Sequence, residues 1–318
     1  MTSFAFVFPG QGSQAVGMLD AWGDHPAVAE TLREASAALD EDLGELIRTG
    51  PKEALALTTN TQPVMLVAGV AAWRAWLAEG GATPDVVAGH SLGEYSALVA
   101  AGVLTLAQAA PLVRFRAQAM QQAVPVGTGA MAAVLGMEAA KVIAGCAEVT
   151  AGFGPDSAEC VEAVNFNDPM QTVIAGSKAA VDKACELLKA NGAKRALLLP
   201  VSAPFHSSLM RPAAQALREK LASVEFAAPR IPVLNNIDVA VETTSERIRD
   251  ALVRQAAGPV RWVESVQALK ARGVATVVEC GPGRVLSGMV KRISPELVTA
   301  TVYDPATLAE TRQLLNTP

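Results

Sequence analysis

The stretch VVAGHSLGEYSALVA, residues 86–100, contains the most informative junction of this chain. Residues 85–90 form a short apolar run that predicts a buried strand, and Leu92–Ala101 has the pattern of a helix. The junction between them, Gly89-His90-Ser91-Leu92-Gly93, has the Gly-x-Ser-x-Gly spacing of a nucleophile elbow. Its glycines permit a tight turn, so that Ser91 projects at the carboxyl edge of a sheet. The alternative is a tight turn that carries an inert serine.

Elsewhere the chain alternates short apolar runs with amphipathic segments, which predicts a mainly parallel sheet with helices on both faces. Further strands are predicted at 3–8, 231–235 and 274–279, and helices at 26–39, 61–79, 106–123, 245–257 and 261–272. The fold class is therefore α/β, with a large domain of the α/β-hydrolase type.

The middle of the chain has a different order of elements. Strands are predicted at 129–137, 161–165, 172–175 and 195–200, and helices at 138–148 and 177–191. The order β-α-β-β-α-β is that of a ferredoxin-like unit. We therefore expect a small domain, 127–198, inserted into a large domain formed by 1–126 and 199–318. A cleft between them would suit a ligand.

Composition restricts the function. The chain of 318 residues is 51% hydrophobic, and its net charge is −5 without a basic stripe, which argues against a nucleic-acid partner. The sequence contains no run of about 18 apolar residues, so no membrane span is predicted, and the amino terminus lacks the pattern of a signal peptide. The four scattered cysteines lack metal-site spacing, so we expect reduced thiols, no bound metal and a cytoplasmic location. We expect a monomer.

A nucleophilic serine needs a base, and the sequence contains three histidines. His206 lies in a proline-bearing loop after a strand, where catalytic groups often lie, so it is the preferred base. His90 adjoins the serine in an extended strand, so its side chain should point to the opposite face. His25 lies in a polar loop and is expected to be a surface residue. No acid stands out at a strand end between Ser91 and His206, which weakens a hydrolase interpretation.

Two arginines on one apolar helix are candidates for substrate binding. Arg114 and Arg116 are two residues apart and therefore point in different directions, so one of them can face the cleft. A buried guanidinium needs an anionic partner, and its planar fork suits a carboxylate. The alternative is a structural ion pair.

Several motifs together resemble one family. They are Gly10-Gln11-Gly12-Ser13-Gln14, Gly89-His90-Ser91-Leu92-Gly93-Glu94, Arg116 with Met120, Asn165-Phe166-Asn167, Phe205-His206, Val253-Arg254-Gln255, Pro259-Val260-Arg261-Trp262 and Gly281-Pro282-Gly283. In this order they resemble the malonyl-CoA:acyl-carrier-protein transacylases of bacterial type II fatty-acid synthesis and the acyltransferase domains of polyketide synthases. The resemblance runs from about residue 3 to about 303.

The resemblance implies a catalytic role for five residues. Ser91 would take the malonyl group from coenzyme A as an ester, and His206 would act as base and then as acid. The main-chain carbonyl of Gln255 would orient the imidazole in place of a carboxylate. The NH groups of Gln11 and Leu92 would form the oxyanion hole. The thiol of the carrier protein's phosphopantetheine would then attack the ester, and no cofactor would be needed.

The resemblance also implies a set of substrate-binding residues. Arg116 would grip the free carboxylate of malonate, beside Met120 and Asn165. Phe205 resembles the malonyl-selecting version, because bulk there leaves less room for an α-methyl group. An acidic carrier protein would dock on a basic patch near the cleft. The candidates are Lys189, Lys194, Arg195, Arg284, Lys291 and Arg292.

Three departures from the family pattern affect the rim of the site. Ala117 replaces a common glycine, Asp168-Pro169-Met170 replaces a small turn, and residues 149–159 suggest extra residues in a loop of the small domain. Three other functions stay open. They are an acyltransferase that serves a polyketide synthase, a serine esterase or thioesterase, and a binding subunit without turnover.

Overall fold

The structure, a computed structural model, describes residues 3–201 and 203–316. The strands of this part are β1 (Phe4–Phe8), β2 (Val86–Gly89), β3 (Gly129–Leu135), β4 (Val161–Asp168), β5 (Gln171–Ser177), β6 (Arg195–Leu198), β7 (Val233–Leu234), β8 (Thr276–Cys280) and β9 (Val298–Val302). The α-helices are α1 (Pro26–Leu39), α2 (Leu43–Thr49), α3 (Lys52–Ala56), α4 (Thr58–Ala78), α5 (Gly93–Ala100), α6 (Leu106–Gln122), α7 (Ala139–Gly152), α8 (Lys178–Ala190), α9 (Arg211–Ala222), α10 (Ser245–Ala256), α11 (Trp262–Ala271), α12 (Val285–Ile293) and α13 (Pro305–Asn316).

The larger sheet has the order β7-β2-β1-β8-β9, and all its strand pairs are parallel. Its middle strand β1 is buried on both faces, which explains why FAFVF is a continuous apolar run. Phe6 packs on Trp73 and Trp76 of α4, with ring centroids 5.5 and 5.2 Å away. Ala5 and Val7 belong to the core on the opposite face. The carboxyl ends of β1 and β2 therefore meet at one edge, where the candidate nucleophile lies.

The smaller sheet has the order β4-β5-β3-β6, with antiparallel pairs throughout. Helices α7 and α8 pack on one of its faces. The other face contributes Met131 and Val173 to a second apolar cluster, which contains Phe205. The predicted fold class, a mainly parallel sheet with an added βαββαβ unit, is thereby confirmed. The division into residues 1–126 with 199–318, and 127–198, stays a prediction.

The structure corrects two predictions in the small unit and near the amino terminus. The predicted loop insertion, 149–159, begins inside α7, because this helix continues to Gly152 and buries Val149 in the core beneath the smaller sheet. His25 is not a free surface residue. It precedes α1, its Nδ1 accepts a hydrogen bond from the NH of Ala27 at 3.2 Å, and its ring packs edge-on against Trp22.

Other boundaries differ by a few residues. Helix α4 begins at Thr58 rather than 61, and β7 is limited to Val233–Leu234. The sequence patterns did not predict α2, α3, α9, α12, β9 or α13. Strand β9 pairs in parallel with β8 and forms one edge of the larger sheet. Helices α12 and α13 pack against this strand.

Candidate active site

The turn from β2 to α5 is as tight as the elbow pattern predicts. A Cβ atom on Gly89 would lie 1.9 Å from the carbonyl carbon of Gly93, and one on Gly93 would lie 2.0 Å from the oxygen of Phe8. Only glycine fits at either position. Ser91 has a φ of 51°, a left-handed conformation that is unusual for a residue with a side chain. Such backbone strain concentrates at functional sites.

Ser91 and His206 form a hydrogen-bonded pair. The Ser91 Oγ lies 2.7 Å from Nε2 of His206, and Nδ1 of His206 lies 2.9 Å from the main-chain oxygen of Gln255. Because a carbonyl only accepts, Nδ1 carries the proton, and the lone pair of Nε2 faces the serine hydroxyl. The Gln255 carbonyl belongs to the last turn of α10, at the negative end of the helix dipole. This tautomer is the one that a general base requires.

The environment keeps the imidazole neutral. Burial and, to a smaller extent, the positive charge of Arg116 lower the pKa of His206 to about 3, against a smaller opposing effect of the Gln255 carbonyl. The ring is therefore able to take a proton from Ser91 at neutral pH.

We expect His206 to stay neutral at pH 5 in the folded protein, whereas an unfolded histidine, with a pKa of about 6.5, is then mostly charged. Nitrogen-15 NMR of the ring across pH 8 to 4 measures this directly. Because the unfolded chain binds the proton and the folded chain does not, His206 should make the free energy of unfolding decrease as pH falls from about 6.5 toward 3. A charged His206 ring at pH 5 in the folded protein would contradict the expectation.

His90 lies on the other side of the elbow. Its Nε2 is 2.8 Å from Oδ1 of Asn167, and its ring packs edge-on against Trp262 at 5.5 Å. Burial lowers the pKa of His90 as well. The structure therefore gives His90 a contact between the elbow and strand β4 rather than a contact with the serine hydroxyl.

Of the two arginines, Arg116 reaches the serine. Its side chain is buried, with 2% of the residue exposed, and Nη2 donates to Ser91 Oγ at 3.2 Å. Nη1 donates to Oε1 of Gln62 at 2.7 Å, and Nη2 also donates to Oε1 of Gln255 at 3.0 Å. Arg114 points away and pairs with Glu41. Neutral amides thus hold the Arg116 guanidinium beside the nucleophile, a setting that suits an anionic group of a substrate.

A cavity of about 230 Å³ opens above these groups. The predicted substrate and oxyanion residues all line it, namely Gln11, Leu92, Arg116, Met120, Asn165 and Phe205. The remaining wall is mostly apolar and comes from the smaller sheet and the segment after it, through Met131, Val173, Leu199 and Val201. The bottom of the cavity is therefore polar and charged, while much of its side wall is apolar.

Sequence reasoning missed three side chains that complete the site. Gln62 binds Arg116, Glu94 accepts from the side chain of Gln255, and Asn236 accepts from the NH of Ser91. Gln62 lies one residue before Pro63 in α4, and Asn236 follows β7. Each is a polar residue in an apolar stretch or at a strand end, which is the only signal in the sequence.

Within residues 3–201 and 203–316, no group of three or more His, Cys, Asp or Glu side chains is arranged to hold a metal ion. None of the described helices is both long and apolar enough to cross a membrane. The four cysteines are free thiols, and Cys146, Cys185 and Cys280 are buried.

An elbow serine, a neutral histidine and a buried arginine in one cavity define an acyl-transfer site, and comparison with known proteins gives its class. Residues 5–306 match the acyl transferase domain model, and the chain belongs to this family. It is 52% identical over 315 residues to the malonyl CoA-acyl carrier protein transacylase of Escherichia coli K12, covering 99% of this chain and 100% of the relative. The Bacillus subtilis relative of the same name is 45% identical over 309 residues, covering 97% of this chain and 96% of the relative.

Solved structures agree with this assignment. A crystal structure of the acyl-carrier-protein S-malonyltransferase of Burkholderia pseudomallei has a TM-score of 0.95 and 62% identity, covering 98% of this chain and 100% of that one. A malonyl-transacylase in complex with a type II polyketide acyl-carrier protein has a TM-score of 0.95 and 49% identity, with the same coverage. The resemblance and the prediction of an acyltransferase are confirmed.

Proposed function

We propose that this protein transfers the malonyl group of malonyl-CoA to the phosphopantetheine thiol of an acyl carrier protein through an ester on Ser91. The observation that carries the proposal is the 3.2 Å contact of Arg116 with the Ser91 hydroxyl, beside the 2.7 Å contact of His206. A thioester carbonyl placed at the serine brings a terminal carboxylate within reach of the guanidinium. An acyl group without a carboxylate leaves the buried arginine without an anionic partner, which is costly.

In the first half of the reaction, Ser91 Oγ attacks the thioester carbon while its proton passes to Nε2 of His206. The NH groups of Gln11 and Leu92 are proposed to receive the developing oxyanion. The carbon–sulfur bond then breaks, and the imidazolium returns its proton to the coenzyme A sulfur. The carrier thiol repeats these steps in reverse, so that the serine hydroxyl is restored.

Thioester exchange is neither an oxidation nor a reduction, so the proposal includes no cofactor. We place the reaction in the cytoplasm, where acyl-CoA donors are available and free thiols persist. Met120, Asn165 and Phe205 are proposed to shape the space around the acyl group, with Phe205 limiting the room for an α-methyl substituent. The monomer stays an expectation.

The proposal is tested by mixing the purified protein with malonyl-CoA and a carrier protein that bears a free phosphopantetheine thiol, and following coenzyme A, malonyl-carrier and free malonate together. Malonyl-carrier should form in step with coenzyme A release, and free malonate should be minor. Malonate that appears at the rate of coenzyme A release, with or without the carrier, would instead establish a thioesterase. Parallel reactions with fatty-acid and polyketide carriers identify the acceptor.

The six residues of the basic patch proposed for carrier docking are exposed, but they differ in whether they already contact other side chains of the protein. Arg292 forms an ion pair with Asp168 at 2.6 Å and Arg284 contacts Tyr303, so both already have partners within the protein. Reversing Arg292 would therefore disturb the contact between α12 and β4 as well. Lys291 is exposed on α12, and no ion pair of this side chain occurs among the described residues.

We expect Lys291→Glu to raise the KM for the carrier roughly 3- to 10-fold, because a charge at the rim of an interface mainly affects encounter with a charged partner. Acylation of Ser91 by malonyl-CoA should not change. Lys52→Glu, which reverses an exposed lysine outside the patch, is the control. An unchanged KM for the carrier would exclude Lys291 from the docking surface.

A further inference from the structure

A buried asparagine that the proposed reaction does not use holds the backbone that leads into the nucleophile. Asn236 follows β7 and is fully buried. Its Oδ1 accepts from the NH of Ser91 at 2.7 Å, and its Nδ2 donates to the oxygen of Gly89 at 2.6 Å. One primary amide thus binds the chain before and after His90, immediately ahead of the strained residue Ser91.

The position of this amide is itself fixed by a buried acid. The NH of Asn236 donates to Oε2 of Glu94 at 2.9 Å. The same oxygen accepts from Nε2 of Gln255 at 2.9 Å, and the main-chain oxygen of Gln255 holds His206. The carboxyl group of Glu94 therefore holds both Asn236, which binds the NH of Ser91, and Gln255, which binds the ring of His206. Burial raises the pKa of Glu94 to about 7.

The donor and acceptor pattern admits one orientation of the Asn236 amide. A flipped amide would turn its NH₂ group toward the NH of Ser91 and its oxygen toward the carbonyl of Gly89, which creates two repulsive contacts. A positive φ at a residue with a side chain is strained, and it persists only when its surroundings hold it. In this elbow the surroundings that hold Ser91 include the bond from its NH to Oδ1 of Asn236, whose Nδ2 holds the Gly89 carbonyl two residues earlier.

We infer that Asn236 is a positioning residue, which holds Ser91 in its left-handed conformation and so aims Oγ at Nε2 of His206 and the NH of Leu92 into the cavity. The inference rests on the proposed nucleophilic role of Ser91, but not on the identity of the acyl group. Asn236 does not line the cavity, so its loss should affect the rate of the chemical step and leave substrate binding unchanged.

A fluorophosphonate that labels activated serines tests this inference independently of malonyl-CoA. Asn236→Ala should lower the limiting rate of Ser91 labelling by about 10- to 100-fold, since a displacement of about 1 Å costs that much, with little change in the concentration for half-maximal rate. The matched control is Asn235→Ala. Asn235 is also buried, but its Oδ1 accepts from the NH of Asp238, away from the elbow.

Asn236→Asp provides a readout that a structural role alone would not change. The ionised aspartate can accept from Ser91 but repels the carbonyl of Gly89, whereas the protonated acid can donate to it. Its nearest acid is Glu94, which disfavours ionisation of both groups. The labelling rate of this variant, relative to wild type, should therefore rise as pH falls from 8 to 6.

The outcomes are separable. Slow labelling of Asn236→Ala with recovery of Asn236→Asp at low pH supports the inference, even if the wild type does not accept malonyl-CoA. Wild-type labelling rates in a folded Asn236→Ala would overturn it, and so would an Asn236→Asp variant whose rate relative to wild type does not change with pH. Fluorophosphonate labelling of the wild type without any malonyl adduct would contradict the proposed function alone.

Discussion

Replacing Ser91 with alanine is expected to lower malonyl transfer by about 10⁴-fold or more, because the ester intermediate loses its only attachment atom. His206→Ala should cause a loss of similar size, since Nε2 lies 2.7 Å from the serine oxygen and is the proposed acceptor of its proton. Because the two groups act as a unit, the double variant should be no slower than the slower single variant. Transfer rates measured with a carrier acceptor over long incubations give the residual activity.

Ser96→Ala is the matched control for this loss. Ser96 is buried in the same helix, α5, and its hydroxyl has no hydrogen-bond partner in the described part of the chain. Its replacement should leave transfer intact. A Ser91→Ala variant that still forms a covalent malonyl adduct would contradict the assignment of the nucleophile.

The second large effect concerns selectivity. Arg116→Met keeps a long side chain but removes the charge, so we expect acylation by malonyl-CoA to fall by about 10²- to 10³-fold, the value of two charge-assisted hydrogen bonds. Acylation by acetyl-CoA should change little, because an acetyl group offers no carboxylate to bind. The ratio of the two acylation rates, measured by competition between the donors, is the quantity to compare.

Arg114→Met is the control for Arg116→Met. It removes a guanidinium two residues earlier in α6, where the side chain contacts Glu41 and the main-chain oxygen of Thr59. The malonyl-to-acetyl ratio should be unchanged in this variant. An Arg116→Met enzyme with the wild-type ratio would mean that the guanidinium serves packing and not substrate choice.

The elbow could be predicted from the sequence because its chemistry is local. The glycines on either side of Ser91 are needed within one tight turn, and the strand and helix that flank them have clear patterns. The mainly parallel character of the larger sheet followed from the alternation of predicted strands with predicted helices. The predicted end of α7, at residue 148, was wrong. The helix continues to Gly152 because Val149 packs in the core beneath the smaller sheet, which the local pattern does not indicate.

The groups that surround the elbow could not be derived in the same way. The acceptor for His206 is a main-chain carbonyl, which every residue has, so only the family resemblance indicated Gln255. Gln62, Glu94 and Asn236 act through contacts that span large separations along the chain; Ser91 and Asn236, for example, are 145 positions apart. Residue type and spacing do not predict which partners these side chains contact, so the contacts can be identified only once the fold is known.

The central claim is that the acyl group is held on Ser91 and selected by Arg116. Its most direct test is rapid mixing with malonyl-CoA in the absence of a carrier, followed by an acid quench, intact-protein mass spectrometry and peptide mapping. We predict a mass gain of one malonyl group on the peptide that contains Ser91, and a much weaker gain with acetyl-CoA. Consumption of malonyl-CoA with release of free malonate and no adduct on Ser91 would contradict the account.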